Sequence, residues 1–345
     1  MGNQDRVTRR CALLGATGLL AASGLETSVP LPLASPALAQ VAKPKMATEI
    51  PPDITTPDRV ASRLGTLNFF DGVPDKATCE KVYDNLDFMR GVEVHASTFK
   101  FFEEINQVVQ EEPISAVDPE IAGQLAAIGI IKCKPFAPDE RMKRILTEAA
   151  AVGNATARAI VFRARSDDFY FYPGKSNWRP IFVGGSYLFM QNGAALLDAR
   201  INFFYQATGV SPAMAAAPVG SGSQYAAAMV DARGNPFDGG KTYQLHLPPN
   251  IPAKQFWSLI LYDTQTRSVL QTDQRDAGLS SETGAVATNA DGSVDIYFAP
   301  TRPRGKENWI QTVPGKSWFV YFRLYSPLEP WFDKSWRPGD IEGLA

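Results

Sequence analysis

The sequence predicts an α+β protein, with an N-terminal helical layer followed by an antiparallel β-sandwich that is jelly-roll-like. Three observations carry this reading. Between Pro74 and about Arg165, apolar residues recur at helical spacing in four successive stretches with no strand between them. From Ser221 onward the hydrophobic period changes to two. Short turn signals separate the alternating stretches, as in sandwiches and jelly rolls. Helices first and strands later distinguish α+β from α/β.

The chain opens with Thr8-Arg9-Arg10, a short apolar run from Cys11, and the small-residue pattern Ala37-Leu38-Ala39. A charged region, an apolar region and an A-x-A site read as an export signal over residues 1–39. The adjacent arginines favour the twin-arginine route to a periplasm. The apolar run is shorter than the ~18 residues a membrane span needs, and no second long run follows, so no span is expected after cleavage. Residues 40–57 are Pro-rich and read as an exposed leader.

A mainly helical segment is expected over 58–167. Thr66 to Phe70 is extended and ends at the turn signal Asp71-Gly72. Pro74 suits a first helical turn, and Cys79, Val82, Tyr83, Leu86 and Met89 form one stripe of a helix over 74–95. Phe99, Phe102, Ile105, Val108 and Val109 form a second stripe, over 97–112. Asp118-Pro119-Glu120 is a helix start, with an N-cap acid and proline at the first helical position. Ile121, Leu125 and Ile128 follow on that helix. Pro138-Asp139-Glu140 opens a fourth helix, which can run through Gly153 to Phe162 at a cost of ~1 kcal/mol.

Residues 168–345 are expected to form the sandwich. Residues 169–190 are aromatic and Gly-punctuated and show no period, and residues 194–208 look helical. Tyr243, Leu245 and Leu247 alternate with polar residues, Phe256 to Tyr262 is apolar on both faces as a central strand is, and Val294, Ile296 and Phe298 alternate again. In the last strand Trp318, Val320, Phe322 and Leu324 alternate with Phe319, Tyr321, Arg323 and Tyr325.

Composition narrows the function classes. The chain carries six Trp, eleven Tyr and twenty Phe, enough for a substantial core. Its formal charge is −2, and so mild an acidity argues against a nucleic-acid partner. After loss of Cys11 with the signal, Cys79 and Cys133 remain; they can form one disulfide, or be two buried thiols on apolar helical stripes, the reading we favour. With only His95 and His246 in the chain and no C-x-x-C, a zinc site built from His and Cys is not expected, and no metal ligand or cofactor is assigned; an oxygen-ligand metal such as calcium stays open, because Asp clusters in loops need no fixed spacing.

The spaced motifs add a resemblance. Asn250-Ile-Pro-Ala-Lys-Gln-Phe-Trp-Ser258, Leu261-Tyr-Asp263, Asn308-Trp309, Arg323-Leu-Tyr-Ser-Pro327 and Trp336-Arg-Pro338 together resemble the bacterial exported proteins that pair the domains of unknown function 1254 and 1214. The match extends back through Phe69-Phe-Asp-Gly72 and Lys81-Val-Tyr-Asp-Asn-Leu86. The resemblance implies β-sandwich modules with helical elements and carries over no catalytic residue. A long β-rich stretch with an Asn-x-Asp-Thr-x-Tyr type motif is missing: the chain passes from Met89-Arg-Gly-Val-Glu-Val-His95 almost directly to Ser97-Thr-Phe-Lys-Phe-Phe102. It therefore resembles an internally shortened member, whose helical stripes have lost part of their covering and must meet the C-terminal sandwich, a second subunit or solvent; the expectation is a homodimer through that layer or an aggregation-prone, catalytically impaired monomer.

Candidate chemistry follows from strand parity. If Trp318 to Leu324 face the core, Tyr321, Arg323 and Tyr325 are displayed together across the sheet, a set suited to a planar or anionic small molecule. The alternative is an arginine satisfied by a structural carboxylate or by backbone carbonyls. Tyr262, Asp263 and Arg267 cluster at a strand end and could serve a hydrolase or lyase, or form an Asx turn with a surface ion pair. His246 lies off the apolar face, where it could act as a general base or be bonded structurally; no Gly-x-Ser-x-Gly elbow accompanies it. A structural, envelope-interacting protein with no small ligand is the remaining class.

Overall fold

The structure, a computed structural model, describes residues 50–344 apart from 89–97, 114, 116, 208 and 285. The export signal, Pro44 and the junction with Met89 and His95 lie outside the described residues, as do the side chains of Tyr83 and Leu86.

The described chain begins with an antiparallel three-stranded sheet, β1 (Arg59–Ser62), β2 (Gly65–Phe70) and β3 (Val73–Pro74). Asp71 and Gly72 join β2 to β3 with φ of 42° and 83°, the two left-handed residues of a tight hairpin turn. Pro74 does not open the first helix. It pairs with Phe69 at the end of that hairpin, and Asp75 takes the N-cap role, its Oδ1 accepting the Thr78 N–H at 2.6 Å. Helix α1 (Lys76–Phe88) buries Cys79 and Val82.

Three further helices follow, α2 (Lys100–Glu111), α3 (Pro119–Ala127) and α4 (Glu140–Phe162). The cap read at Asp118 forms, its Oδ1 accepting the Glu120 N–H at 2.9 Å, and the helix start read at Pro138-Asp139-Glu140 is capped by Asp139, whose Oδ1 accepts the Met142 N–H at 2.7 Å. Helix α4 runs unbroken through Gly153, and its second half is almost wholly buried. Helix α3 buries no residue fully, and its Ile121 is exposed. Cys133 corrects the expectation of two buried thiols: Gly129 (φ 92°) lies just beyond the end of α3, and Cys133 lies in the turn beyond, exposed, with φ 63°. Cys79 and Cys133 are both free.

The remaining elements are β4 (Trp178–Pro180), the hairpin β5 (Met190–Gln191) and β6 (Ala194–Ala195), α5 (Leu197–Gln206), α6 (Pro212–Ala215), β7 (Ser223–Ala228), β8 (Tyr243–Leu247), β9 (Trp257–Asp263), β10 (Gly278–Ser280), β11 (Val294–Ala299), β12 (Trp309–Gln311), β13 (Trp318–Tyr325), α7 (Glu329–Phe332) and β14 (Glu342–Gly343). They build an antiparallel five-stranded sheet, β10-β9-β13-β7-β4, and a four-stranded sheet, β12-β11-β8-β14. In the second sheet β11 and β12 run parallel, so the strands are not all antiparallel as expected.

One apolar cluster takes inward residues from both sheets: Leu245 and Leu247 of β8, Ile296 and Phe298 of β11, Leu259 and Leu261 of β9, and Trp318, Val320, Phe322 and Leu324 of β13. Full burial of such a side chain contributes ~1.5–3 kcal/mol, which makes this cluster the main stabiliser of the C-terminal half. The other face of the five-stranded sheet is covered in part. Ala227, Met229 and Phe319 pack with Ala157, Val161 and Phe162 of α4 and Tyr205 of α5. That cover explains why Phe319, on the non-core side of β13, is as buried as its neighbours.

Candidate functional site

Helices α4 and α5 cover the inner rows of this sheet face, and the outer rows carry Arg323. Its cross-strand partners are Tyr225 on β7 and Ser258 on β9, so all three project from one face. The guanidinium carbon lies 4.7 Å from the Tyr225 ring centroid and 4.3 Å from that of Tyr325, and Tyr325 stacks in turn on Phe256 at 3.9 Å. Nη2 donates to Ser223 Oγ at 3.0 Å. No carboxylate pairs with Arg323 among the described residues. Its Nε and the hydroxyl of Ser258 are buried without a hydrogen-bond partner.

The neighbouring tyrosines are not equivalent. Burial raises the Tyr262 phenol above its ordinary pKa, a rise opposed by the nearby Arg323 charge. Tyr262 lies against Phe319 and Tyr321, with centroids 5.4 and 4.9 Å away. Burial pushes the Tyr321 phenol well above its usual range, and its hydroxyl donates to Gln206 Oε1 of α5. Tyr321 is thus committed to the helix that covers the sheet, whereas Tyr225 and Tyr325 flank the arginine.

The stretch that carries these side chains is also the one with recognisable relatives, since its sequence matches a family model, described as a protein of unknown function (DUF1214), over residues 222–329. Residues 222–329 are a DUF1214 domain. No curated protein matches the chain. Among solved structures it is similar to the VPA0106 protein from Vibrio parahaemolyticus, with 17% identity and a TM-score of 0.37 over 71% of this chain and 56% of that one. It is similar also to an uncharacterized protein from Burkholderia cenocepacia, with 16% identity and a TM-score of 0.31 over 61% of this chain and 46% of that one. The chain therefore spans about half the length of these two structures.

Within the DUF1214 domain, Asp263 and Arg267 serve a turn. Asp263 Oδ1 accepts the N–H groups of Gln265 and Thr266 at 2.7 and 2.9 Å, and its Oδ2 lies 2.5 Å from Lys316 Nζ. Arg267 adopts φ 59°, donates to the Gln265 carbonyl, and lies over the Tyr205 ring. His246 is brought to neither group. It alternates with Leu245 and Leu247, which point into the shared core, so its ring projects from the far side of the four-stranded sheet. There its Nδ1 lies 2.8 Å from Asp295 Oδ1. Burial raises the Asp295 carboxyl, but hydrogen bonds from His246, Asn289 and Gln244 more than offset this and leave it lowered.

A second polar constellation escaped the sequence reading. Arg158 of α4 is fully buried; its Nη1 donates to the carbonyl oxygens of Gly72 and Thr264 at 2.8 and 2.9 Å. Gln265 exchanges two hydrogen bonds with the Thr56 main chain, and Asn154 donates to the Thr56 hydroxyl. Asp71 accepts the Ser317 N–H at 2.7 Å. These bonds tie the segment before β1, the β2–β3 turn and α4 to the DUF1214 domain. The only signal in the sequence is one arginine in the otherwise uncharged run Ala155 to Phe162. Among the described residues no three His, Cys, Asp or Glu side chains converge as metal ligands would.

Proposed function

We propose that this is an exported protein that binds or processes a small anionic molecule on the outer face of the five-stranded sheet, with Arg323 as the anchoring charge. The observation that carries this reading is a half-buried guanidinium set against Tyr225 and Tyr325 with no carboxylate partner among the described residues. Such a charge is costly to desolvate unless something neutralises it. The test is a thermal-shift screen of the native protein against carboxylates, phosphate and sulfate. A bound anion raises Tm in proportion to RT ln(1 + [L]/Kd), and R323M should lose the shift. No shift with any anion would sink the reading.

Export rests on Arg9, Arg10 and the Ala37-Leu38-Ala39 pattern. Under this proposal the periplasmic protein starts near Gln40, and replacing both arginines by lysine blocks its export. Residues 58–167 are read as a shortened module of the 1254 kind beside a C-terminal sandwich, with the two sheets around one core supporting the latter. Val108, Ile121 and Ile145 are exposed on α2, α3 and α4, which favours a homodimer through the helices; a monomer by light scattering would remove that part.

A further inference from the structure

The Arg323 site restricts the kind of anion it can take, and the restriction rests on the anion reading above. We infer that its ligand is a monocarboxylate with a flat apolar skeleton, an aryl carboxylate being the simplest case, held end-on by the two terminal amino groups of Arg323.

The approach direction follows from what is already occupied. Two tyrosine rings take the cation–π contacts of the guanidinium, so a ligand ring gains little by stacking on it. The Nε–H is buried, which closes the fork formed by Nε and one terminal nitrogen. Nη2 spends one proton on Ser223 Oγ and keeps another, while Nη1 makes no hydrogen bond among the described residues and is not among the buried unpartnered atoms. The open donors are therefore the two protons of Nη1 and one of Nη2; with Ser223 on the inner Nη2 proton, the outer N–H bonds of the two nitrogens run parallel, a pair that matches the two oxygens of one carboxylate.

Charge and surroundings select further. Among the described residues, Arg323 is the cation that opposes the rise of the Tyr262 phenol, with the phenols of Tyr225 and Tyr325 acting the other way. One guanidinium neutralises a carboxylate but leaves a phosphate dianion with uncompensated charge. The walls are rings: Tyr225, Tyr325 and Phe256, with Ile260 and Tyr262 half-buried on the same face. Aromatic walls favour a ligand with a π-face over a short aliphatic chain.

The experiment is isothermal titration of the full native protein with benzoate, acetate and inorganic phosphate. Benzoate should bind roughly tenfold or more tightly than either of the others, since ring burial adds to the charge pair. R323K should weaken benzoate by roughly tenfold or more, because an ammonium cannot offer two parallel N–H bonds, and R323M should abolish binding while the thermal transition of the unliganded protein is retained. Acetate as tight as benzoate, or phosphate tighter than both, overturns the aryl-carboxylate inference and leaves the anion reading standing. Full affinity in R323K overturns the end-on fork. Absence of binding by all three anions removes both.

Discussion

The carbonyl oxygen of Gly72, in the first hairpin turn, accepts a hydrogen bond from Arg158 Nη1 at 2.8 Å, and nothing larger than glycine fits between them. A Cβ at position 72 would stand 2.2 Å from Nη1 and 3.1 Å from Gln265 Cδ, at a φ of +83°. Arg158 cannot step aside, because it is fully buried and also bonded to Thr264. Gly72→Ala is therefore expected to lower stability by ~2–4 kcal/mol, from left-handed strain and loss of the bond together. Arg158→Met should cost a similar ~2–4 kcal/mol by stranding two buried carbonyls. Urea unfolding measures both; a loss under ~1 kcal/mol in either would show that the cluster relaxes around the change.

Asp71 gives the same cluster a pH dependence. Burial raises its carboxyl above the ordinary value, against the pull of Lys316 and the Ser317 N–H. The folded state then holds this proton more tightly than the unfolded chain. The stability it contributes is full below the unfolded pKa of ~3.9 and is lost as pH rises through the folded pKa. Asp71→Asn keeps an acceptor for Ser317 and removes the ionisation, so its stability relative to the parent should improve from acid toward neutral pH and then level off. Unfolding curves from acid to neutral pH check this; a parent that gains on the variant over that range contradicts it.

The two faces of β13 should respond oppositely to truncation. Phe322 is fully buried among Trp178, Trp257, Trp331 and Trp336, and Phe322→Ala should cost ~3–5 kcal/mol through the cavity it opens. Arg323→Ala should cost much less, because its protein contacts are two rings and one serine. A comparable loss from both would make Arg323 a structural residue.

Ser258→Ala tests the unpartnered hydroxyl beneath Arg323. The side chain is 6% exposed and its Oγ has no hydrogen-bond partner, so deleting it should leave stability unchanged or raise it by ~1 kcal/mol. A loss of more than ~1 kcal/mol on chemical unfolding would show that the hydroxyl is bonded after all.

The thiols should separate in reactivity. Burial pushes the Cys79 thiol up to about 12, and Cys133 is exposed. Since the thiolate is the reactive form, an aromatic disulfide reagent should modify Cys133 rapidly in the native protein and reach Cys79 only after unfolding. Protection of both, released by a reductant, would indicate a Cys79–Cys133 disulfide instead.

Local rules alone set much of this molecule. Asp118 could be read as a cap, and Pro138-Asp139-Glu140 as a helix start, because an N-cap bond spans only two or three residues. The core side of β13 could be read because side chains alternate strictly along a strand, and Asp71-Gly72 because a tight hairpin turn needs two left-handed residues. Pro74 and Cys133 went the other way: each sits where two local patterns compete, and the hairpin register and the end of α3 decided between them. What covers a face is a long-range matter that no window of sequence contains. Phe319 and Tyr321 look like an open surface until α4 and α5 are laid over them. Arg158 looks like a solvated helix position until the Gly72 turn and the Thr264 carbonyl arrive from opposite ends of the chain. Parity placed Arg323 across the sheet from the core, but only the tertiary structure set Tyr225 beside it and left it without a carboxylate partner among the described residues, because neighbours from distant strands are made by folding rather than by sequence.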